Sequence, residues 1–588
     1  MQPVLGVARS LTGRRWLWRA GEDRVGLGIA QRLGVPEIIG RLLAGRGIEI
    51  ESAIHFLEPT LRVLLPDPST LTDMNEAAER LAFAIRRRET VAVFGDYDVD
   101  GTCSTALVVT FLRDLGCAVH FHVPDRSTEG YGPNAPALES LVARGASLIV
   151  CVDCGTAAAD VLARMHNRAD VIVLDHHKSE GVLPPVLATV NPNRLDCRSG
   201  LHALCATGVA FLTAVATVRE LRRSGYFLGH PEPDLLALLD LVALATVCDV
   251  MPLTGVNRAL VRQGLRVMAR RARPGIAALL DVAQAHDSPS AATCGFGLGP
   301  RINAAGRIGE SQLGLRLLLC EDPAEAHELA ALLDGINRQR QQVEGAILEV
   351  ALAAAAEQAE NGNPVLLVAR EQWHPGVVGI VAGRIKERYN RPACVAALAG
   401  GVAKGSGRSV VGFDLGAAVI AARQAGILTA GGGHAMAAGF ALDQAGLGEL
   451  HAFLNERLAA AASLPSSADL VVEGALTVPG ITPELAQHVA RLAPFGNGNE
   501  EPVFVVSHAR VVRSDRVGRD GSTIRAIIEG EGGGARLKAL LFRARDGVLA
   551  EYLLGPAGTP VHLAGHLRAE DWNGSPQVGL VLTDAAAA

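Results

Sequence analysis

Residues 91–104 read VAVFGDYDVDGTCS, an apolar run that ends directly in three carboxylates at alternate positions. The run Val91–Phe94 has the length and the β-branched character of a buried strand. Asp96, Asp98 and Asp100 then place three like charges within about ten ångströms of chain, which costs free energy unless a positive group lies among them. The stretch therefore predicts a strand whose end holds a cation.

Two further apolar runs end in the same way. Leu148–Val152 is followed by Asp153, and Val171–Leu174 is followed by the triplet DHH at 175–177. Helical segments separate these runs, and this alternation is typical of βαβ units with a parallel sheet. Because ligands bind at the carboxyl ends of the strands in open α/β sheets, we expect all these polar side chains to meet at one edge.

The rest of the chain divides into regions of different pattern. Apolar residues at helical spacing between 329 and 350 predict a long helix, and the last 120 or so residues alternate short strands with turns. The fold class is α/β, with two α/β lobes joined by a long helix and followed by a C-terminal β-barrel. The predicted domains are an N-terminal helical region (1–85), a catalytic parallel-sheet domain (86–322), a connector helix (323–362), a second α/β domain (363–462) and an OB-fold barrel (467–588).

Composition narrows the class of protein. The net charge of −6 excludes a chain that is basic throughout, and 4% aromatic residues limit any binding mode built on base stacking alone. The ten cysteines are scattered, several of them inside apolar runs, which indicates reduced thiols. The N-terminus has no continuous apolar signal segment, and the most apolar stretch, Leu235–Leu253, contains two aspartates. We therefore expect a cytoplasmic protein with no membrane association.

Carboxylates combined with imidazoles are the ligand set for Mn²⁺, or for a mixed Mn²⁺ and Mg²⁺ site. Two ions about 3.5–4 Å apart need a bridging carboxylate and clamp the attacking and leaving oxygens of a phosphoryl transfer. A single DxDxD motif could instead be a calcium loop or an exposed acidic turn, and a single His-His pair is more often structural. Several acids and imidazoles converging on one edge favour the metal site. The candidate ligands are Asp96, Asp98, Asp100, Asp153, His176 and Asp249.

These motifs resemble a known family. GDYDVDGT at 95–102, VDCG at 152–155, DHH at 175–177 and CDVMPL at 248–253 resemble the ordered motifs of the DHH phosphoesterase superfamily, and most closely its RecJ branch of single-strand-specific 5′→3′ DNA exonucleases. Three further segments, at 374–392, 405–409 and 431–440, resemble the DHHA1 domain. APFGNGNEEPVF at 493–504 resembles the entry to the RecJ OB domain.

The resemblance implies roles for the strand-end residues and a pair of divalent ions, Mn²⁺ preferred or Mg²⁺. Asp98, Asp100, Asp153, His176 and Asp249 would ligate the metals with Asp153 as the bridge, Asp96 and Asp175 would be ligands or would orient ligands, and His177 would contact the scissile phosphate or the leaving oxygen. The implied activity degrades single-stranded DNA 5′→3′ to mononucleotides in DNA repair and recombination. The implied protein is a monomer, supplied with substrate by a single-strand-binding protein and a RecQ-type helicase.

Candidate phosphate contacts lie outside the strand ends. Arginine beside small residues can fork onto phosphate oxygens, and glycine lets backbone N–H groups approach a phosphate. The candidates are Arg301, Asn303 and Arg307 in GPRINAAGRIG, Ser406 and Arg408 in GSGRS, and Gly432, Gly433 and His434 in GGGHAMAAGF. A basic DNA track is predicted on the barrel strands from Arg510, Arg513, Arg516, Arg519, Arg525, Arg536 and Lys538. For any one of these arginines, a surface ion pair is the competing interpretation.

Two other functions stay open. A small-substrate DHH phosphoesterase would cleave oligonucleotides, cyclic dinucleotides or pyrophosphate, but such an enzyme needs only the two lobes and not the barrel. A non-catalytic replication scaffold would have lost metal ligands, whereas this sequence keeps all of them.

Overall fold

The structure is a computed structural model of the chain. It describes residues 2–126, 128–178, 181–465, 467–518, 521–544, 547–572 and 575–588, without the side chains of residues 570–576. The chain forms two compact units. One contains Ile54–Gln339 with Leu492–Glu500, and the other contains Met1–Ala53, Arg340–Arg491 and Glu501–Ala588.

The N-terminal region is mainly helical but also supplies a strand to the C-terminal domain. Its elements are β1 (Trp16–Trp18), α1 (Asp23–Leu33), α2 (Glu37–Gly45), α3 (Ala53–Leu57), α4 (Leu61–Leu64) and α5 (Met74–Arg87). The buried Trp16 indole donates to Asp584 Oδ2 at 2.9 Å. The predicted N-terminal helical region (1–85) thus contains one strand besides its helices, and β1 pairs in parallel with a strand at Leu470–Val472.

The predicted parallel-sheet domain (86–322) is built on a five-stranded parallel sheet. Its strands are β2 (Thr90–Phe94), β3 (Ala118–His122), β4 (Leu148–Val152), β5 (Asp170–Leu174) and β6 (Ala188–Val190), in the order β3-β2-β4-β5-β6. β2 and β4 lie side by side with β5 next, so the three strand ends that the sequence singled out are neighbours. The side chains of β2 and β4 are almost entirely buried, which explains why these strands are continuous apolar runs.

Helices cover both faces of this sheet. They are α6 (Val99–Asp114), α7 (Ala135–Ala143), α8 (Ala159–Leu162), α9 (Ala206–Arg223), α10 (Leu239–Cys248), α11 (Gly255–Met268), α12 (Pro274–Val282), α13 (Gly299–Ile308) and α14 (Leu313–Leu319), with a π-helical turn at Thr293–Leu298 before α13. α6, α9 and α10 share one large apolar core with the sheet. The connector helix α15 runs without a break from Pro323 to Glu360.

The second α/β lobe has a mixed five-stranded sheet. Its elements are β7 (Leu366–Glu371), α16 (Val378–Tyr389), β8 (Ala393–Ala399), β9 (Val402–Arg408), α17 (Leu415–Gln424), β10 (Ala430–His434), β11 (Ala437–Asp443) and α18 (Leu447–Arg457). The strand order is β10-β11-β9-β8-β7, and β7 pairs with β8 in parallel while the other pairs are antiparallel.

The C-terminal region closes into a barrel. It consists of β12 (Leu470–Val472), β13 (Gly474–Leu476), α19 (Pro483–Ala490), β14 (Phe504–Val517), β15 (Thr523–Glu529), β16 (Arg536–Leu541), α20 (Val548–Leu553), β17 (Pro560–Trp572) and β18 (Ser575–Ala587). The order β14-β15-β16-β18-β17 closes because β17 also pairs with β14. β14 is long, so not all of the barrel strands are as short as the sequence predicted. Within the described ranges, no helix has the length and apolarity needed to cross a membrane.

Candidate metal centre

The loop after β2 holds the first three carboxylates. Asp98 caps α6, since its Oδ1 accepts from the Gly101 backbone N–H at 3.0 Å. A side chain at Gly101 would lie 2.5 Å from the Asp96 carbonyl oxygen, so only glycine lets the loop fold back over the helix start. Asp96 and Asp100 are consequently buried, with 4% and 1% of their surface exposed.

Asp100 also anchors the start of α9. Its carboxylate accepts from the backbone N–H groups of Ala206 at 2.7 Å and Thr207 at 2.8 Å, and from the Thr207 hydroxyl at 2.6 Å. These bonds fix the orientation of the carboxylate, and its Oδ2 still lies 3.7 Å from His176 Nε2. Asp100 is thus both a helix anchor and a candidate ligand.

Asp153 and His176 form the centre of the cluster. His176 Nε2 lies 3.3 Å from Asp153 Oδ1 and 3.5 Å from Asp249 Oδ2. Ligand atoms bound at about 2.1 Å to one octahedral ion are about 3 Å apart, so these separations suit shared coordination. Asp153 has φ +59°, in the left-handed region, which turns its carboxylate back over the end of β4.

Three overlapping groups of side chains could hold a metal ion, with ligand atoms within 4.8 Å of one another. The groups are Asp96, Asp98 and Asp153; Asp100, His176 and Asp249; and Asp153, His176 and His177. Asp153 occurs in two of them, as a bridging carboxylate requires. Asp249, at the C-terminal end of α10, reaches the cluster from outside the sheet.

The cluster has the electrostatic character of a cation site. Asp96 Oδ1, Asp153 Oδ1 and Asp249 Oδ2 are buried oxygens that have no hydrogen-bond donor among the described residues. Burial and the neighbouring charge of Asp98 raise the pKa of Asp96 to about 8. Burial and the neighbouring charge of Asp100 likewise raise the pKa of Asp249 to about 8. Buried oxygens without donors are rare in proteins, so the donor set fits divalent cations.

Asp175 has a different role from the clustered acids. Its carboxylate accepts from the backbone N–H of Thr156 at 3.0 Å and from His177 Nδ1 at 2.8 Å. Burial opposes its ionisation, but the bonds from His177 and Thr156 outweigh burial and hold the pKa of Asp175 below its usual range. Burial also lowers the pKa of His177, yet the hydrogen bond and charge of Asp175 raise it to about 9. Asp175 therefore orients His177 and is absent from the three ligand groups.

Several residues around the cluster escaped the sequence analysis. The Tyr131 hydroxyl donates to the Asp153 carbonyl at 3.1 Å and lies 3.2 Å from His177 Nδ1. The side-chain amide of Asn191 donates to the His177 carbonyl at 2.8 Å, and that of Asn193 to the His176 carbonyl at 2.5 Å. The motif Asn-Pro-Asn directly after β6 was the available signal, because it follows a strand end like the other site residues.

Arg126, in the loop after β3, is another residue that the sequence analysis did not identify. The guanidinium of Arg126 is 5.4 Å from the centre of the Tyr97 ring, and its charge lowers the pKa of Asp96 against the larger effect of burial. An exposed cation thus lies close to the carboxylates.

Helix α13 carries three of the predicted phosphate contacts, and one of them, Arg301, is hydrogen-bonded to other parts of the protein. Arg301 Nε donates to Asp334 Oδ1 at 3.0 Å, and Nη1 donates to the Gly297 carbonyl at 2.6 Å. Because its guanidinium is bonded to the connector helix and to the preceding turn, the geometry argues against the predicted phosphate role of Arg301. Asn303 and Arg307 are half-buried, and the charge of Arg307 acts on Tyr97 in the first acidic loop.

Ser406 and Arg408 lie together on β9 of the second lobe. Arg408 Nη1 donates to Ser406 Oγ at 2.9 Å. The first turn of α16 comes close to both, since a Cβ at Gly379 would be 3.0 Å from Ser406 Oγ and 3.1 Å from Arg408 Nη2. A hydroxyl, a guanidinium and a helix N-terminus therefore converge on one place, which is a suitable combination for a phosphate.

The glycine-rich segment forms a strand. Gly432, Gly433 and His434 belong to β10, which pairs with β11 at the edge of the sheet. A side chain at Gly433 would lie 2.4 Å from the Ala437 carbonyl oxygen, so glycine is needed there for close packing. In an edge strand, alternate N–H groups point away from the sheet, so backbone donors to a phosphate remain compatible with this structure.

Most of the basic barrel residues predicted as a DNA track lie on one face of the sheet, but Arg516 lies on the other. Cross-strand register places Arg513 beside Ile527, and Ile527 beside Lys538, on one face. The same face carries Arg510, Arg525 and Arg536, interrupted by Asp515 and Glu529. Arg516 points to the other face and donates to the carbonyls of Gly521 and Ala544, and Arg519 lies outside the described residues.

Comparison with protein families matches three segments of the chain. Residues 90–246 match the DHH family N-terminal domain, residues 362–460 the DHHA1 domain, and residues 472–584 the RecJ OB domain. The single-stranded-DNA-specific exonuclease RecJ of Dickeya dadantii (strain 3937) is 37% identical over 569 residues, which cover 93% of this chain and 96% of that protein. The chain belongs to the RecJ family. The resemblance inferred from the motifs is thus confirmed.

Other RecJ proteins agree. RecJ of Escherichia coli (strain K12) is 38% identical over 86% of this chain and 89% of that protein. A crystal structure of RecJ from Thermus thermophilus in complex with Mn²⁺ superposes with a TM-score of 0.79 at 32% identity, covering 97% of this chain and 79% of that one. The fold class predicted from the sequence is therefore that of a metal-bound RecJ.

Proposed function

We propose that this protein is a metal-dependent exonuclease that degrades single-stranded DNA from its 5′ end to mononucleotides. The observation that carries the proposal is the set of buried, donor-free carboxylate oxygens in the cluster, on a chain similar over most of its length to RecJ exonucleases. Mn²⁺ or Mg²⁺ would be held by Asp96, Asp98 and Asp153 on one side and by Asp100, His176 and Asp249 on the other.

The residues of the site divide the chemistry among them. When bound, the two ions supply the positive charge that stabilises a phosphodiester undergoing hydrolysis. Asp153 belongs to the first group, and its Oδ1 lies 3.3 Å from His176 Nε2 of the second, so it would be the carboxylate that the two ions share. Because His177 Nδ1 is held by Asp175, Nε2 is the nitrogen that would give a proton to the leaving oxygen. Tyr131 bonds to both sides of this arrangement and limits movement of the His177 ring.

The small-substrate alternative has less support. It leaves the closed barrel and its basic face without a purpose, whereas a DNA exonuclease uses both. Digestion of long single-stranded and double-stranded DNA with Mn²⁺, labelled at one end at a time, separates the two functions. We expect mononucleotides released from the 5′ end of the single strand only. An enzyme that spares the long strand but cleaves dinucleotides would be the small-substrate phosphoesterase, and release from the 3′ end would overturn the polarity.

Arg408 provides a test of how the 5′ end is held. We expect Arg408→Lys, which keeps the charge but loses the two parallel donors, to reduce cleavage of 5′-phosphorylated single strands by about tenfold or more, and that of 5′-hydroxyl strands much less. Steady-state rates on the two substrates give the comparison. Equal losses on both would mean that Arg408 holds an internal phosphate.

Two glycines on α16 provide a second test and its matched control. Gly379→Ala puts a methyl group against Ser406 and Arg408 and should reproduce the loss of preference for the 5′-phosphate. Gly383→Ala adds the same methyl group to the same helix where no atom lies within 4 Å, and should leave the preference unchanged.

The basic face of the barrel is proposed as a DNA track. For single strands, each phosphate contact contributes about −0.7 to the slope of log affinity against log salt concentration. The double variant Arg513→Ala with Lys538→Ala removes two such contacts, so the slope should become shallower by about 1.4. Fluorescence anisotropy on a long single strand measures it. Arg516→Ala is the control, because its side chain is bonded to backbone carbonyls on the other face. An unchanged slope in the double variant would refute the track.

The cellular setting is part of the same proposal. All ten cysteines are free thiols, which supports a reducing cytoplasm. A monomeric enzyme that needs free single strands would receive them from a RecQ-type helicase and a single-strand-binding protein, in repair and recombination.

A further inference from the structure

The loop Leu492–Glu500 lies within the residues that match the OB domain, yet it packs in the unit that contains the cluster of carboxylates and histidines. Gly496 and Asn499 exchange two backbone hydrogen bonds of 3.0 Å. The fully buried Asn499 amide donates to the carbonyls of Leu492 at 2.9 Å and Pro494 at 2.8 Å. The loop is therefore an internally bonded, well-defined structure.

A buried arginine fixes this loop to the catalytic domain. Arg258 on α11 is 1% exposed, and its guanidinium donates to the carbonyls of Ala493 at 2.8 Å and Phe56 at 2.7 Å. It also lies 3.9 Å from the centre of the Phe56 ring. A buried charge bonded in this way is costly to displace, so the base of the loop is anchored.

The tip of the loop is hydrogen-bonded to the turn that follows Asp249. Asn497 Nδ2 donates to the Val250 carbonyl at 2.6 Å, and the Asn497 carbonyl accepts from the Leu253 N–H at 2.8 Å. A side chain at Gly496 would lie 2.8 Å from Leu253 Cδ1, so the loop backbone is in direct contact with this turn. Asn497 therefore holds the turn at two points.

The turn needs holding because it is strained. Val250 has φ +57°, a conformation that is a genuine outlier for a β-branched residue. This conformation reverses the chain at the C-terminal end of α10, directly after Asp249, whose Oδ2 lies 3.5 Å from His176 Nε2. If Val250 relaxed to an ordinary φ, the chain direction beside Asp249 would change.

We propose that Asn497 is a positioning residue for the metal ligand Asp249. By clamping Val250 in its left-handed conformation, the loop keeps the Asp249 carboxylate directed at the cluster. A segment assigned by sequence to the OB domain is thus a working part of the metal centre. This inference rests on the proposed metal-dependent function, and it adds a determinant of metal affinity outside the strand-end motifs.

The test is a titration of the full-length apoprotein with Mn²⁺ alone, followed by calorimetry or by the paramagnetic resonance signal of free Mn²⁺. We expect Asn497→Ala to weaken Mn²⁺ binding by about tenfold, the lower end of the effect of losing a partner that orients a ligand. Val250→Gly removes the strain, because glycine adopts this φ freely. The double variant should therefore bind Mn²⁺ within about threefold of Val250→Gly alone.

Asn390→Ala is the control for loss of an equivalent bond, since the Asn390 amide donates to the Pro465 carbonyl at 3.0 Å in the other unit. It should leave Mn²⁺ binding unchanged. A melting temperature lowered by Asn497→Ala with unchanged Mn²⁺ affinity would overturn the positioning role. If Asn497→Ala alone does not fold, a tenfold loss in the double variant relative to Val250→Gly would also overturn it. Failure of the wild type to bind Mn²⁺ would instead refute the proposed function.

Discussion

Asp153→Ala is expected to abolish metal-dependent cleavage, with a loss of at least about 10³-fold, while the apoprotein stays folded. Asp153 belongs to the group with Asp96 and Asp98, and its Oδ1 lies 3.3 Å from His176 Nε2 of the other proposed ion site, so its removal should affect both sites. A loss of 10³ corresponds to about 4 kcal/mol of transition-state stabilisation, a reasonable share for metal chemistry. The fold should survive because burial and like charges already oppose ionisation of Asp153, raising its pKa well above the usual value.

Turnover with Mn²⁺ and the melting temperature without metal should be measured side by side. Asp160→Ala, a change at an exposed acid in the segment after the same strand, is the control and should retain activity. Activity of Asp153→Ala within about tenfold of the wild type would contradict the bridging role.

His177→Ala is expected to reduce cleavage by about 10²–10⁴-fold, the usual range for a general acid, while leaving Mn²⁺ affinity within about threefold of the wild type. The reason is geometric. His177 Nδ1 is hydrogen-bonded to Asp175. His177 is also absent from the two groups of residues that we propose as the ion sites. Single-turnover rates at saturating Mn²⁺, together with a Mn²⁺ titration, measure the two quantities separately.

His166→Ala is the control for this experiment, because His166 is an exposed histidine that belongs to none of the three ligand groups. A parallel fall in cleavage and Mn²⁺ affinity would identify His177 as a metal ligand, through the group it forms with Asp153 and His176.

The strand ends could be predicted from the sequence because their signals are local. An apolar run of about five residues followed at once by acids specifies both the strand and the position of its polar end. The connector helix was predictable for the same reason, from the spacing of its apolar residues, and it extends to Glu360. Convergence of the strand ends was predictable as well, and parallel pairing of β2, β4 and β5 produces it.

Interactions between distant segments could not be predicted in this way. The hydrogen bond of Arg301 to Asp334, in a different helix, is not evident from the sequence around Arg301. The glycine-rich run has low strand propensity, but pairing with β11 makes it a strand all the same. The contact of Asn497 with the carbonyl of Val250 joins residues 247 positions apart, and neither segment alone reveals it.

The central claim is that two divalent ions bind at the ends of β2, β4 and β5 on either side of Asp153. Anomalous diffraction from Mn²⁺-soaked crystals of the wild-type protein tests it most directly. The account predicts two anomalous peaks about 3.5–4 Å apart, one contacted by Asp96 and Asp98, the other by His176 and Asp249, and both by Asp153. A single peak, or peaks that do not contact Asp153, would contradict it.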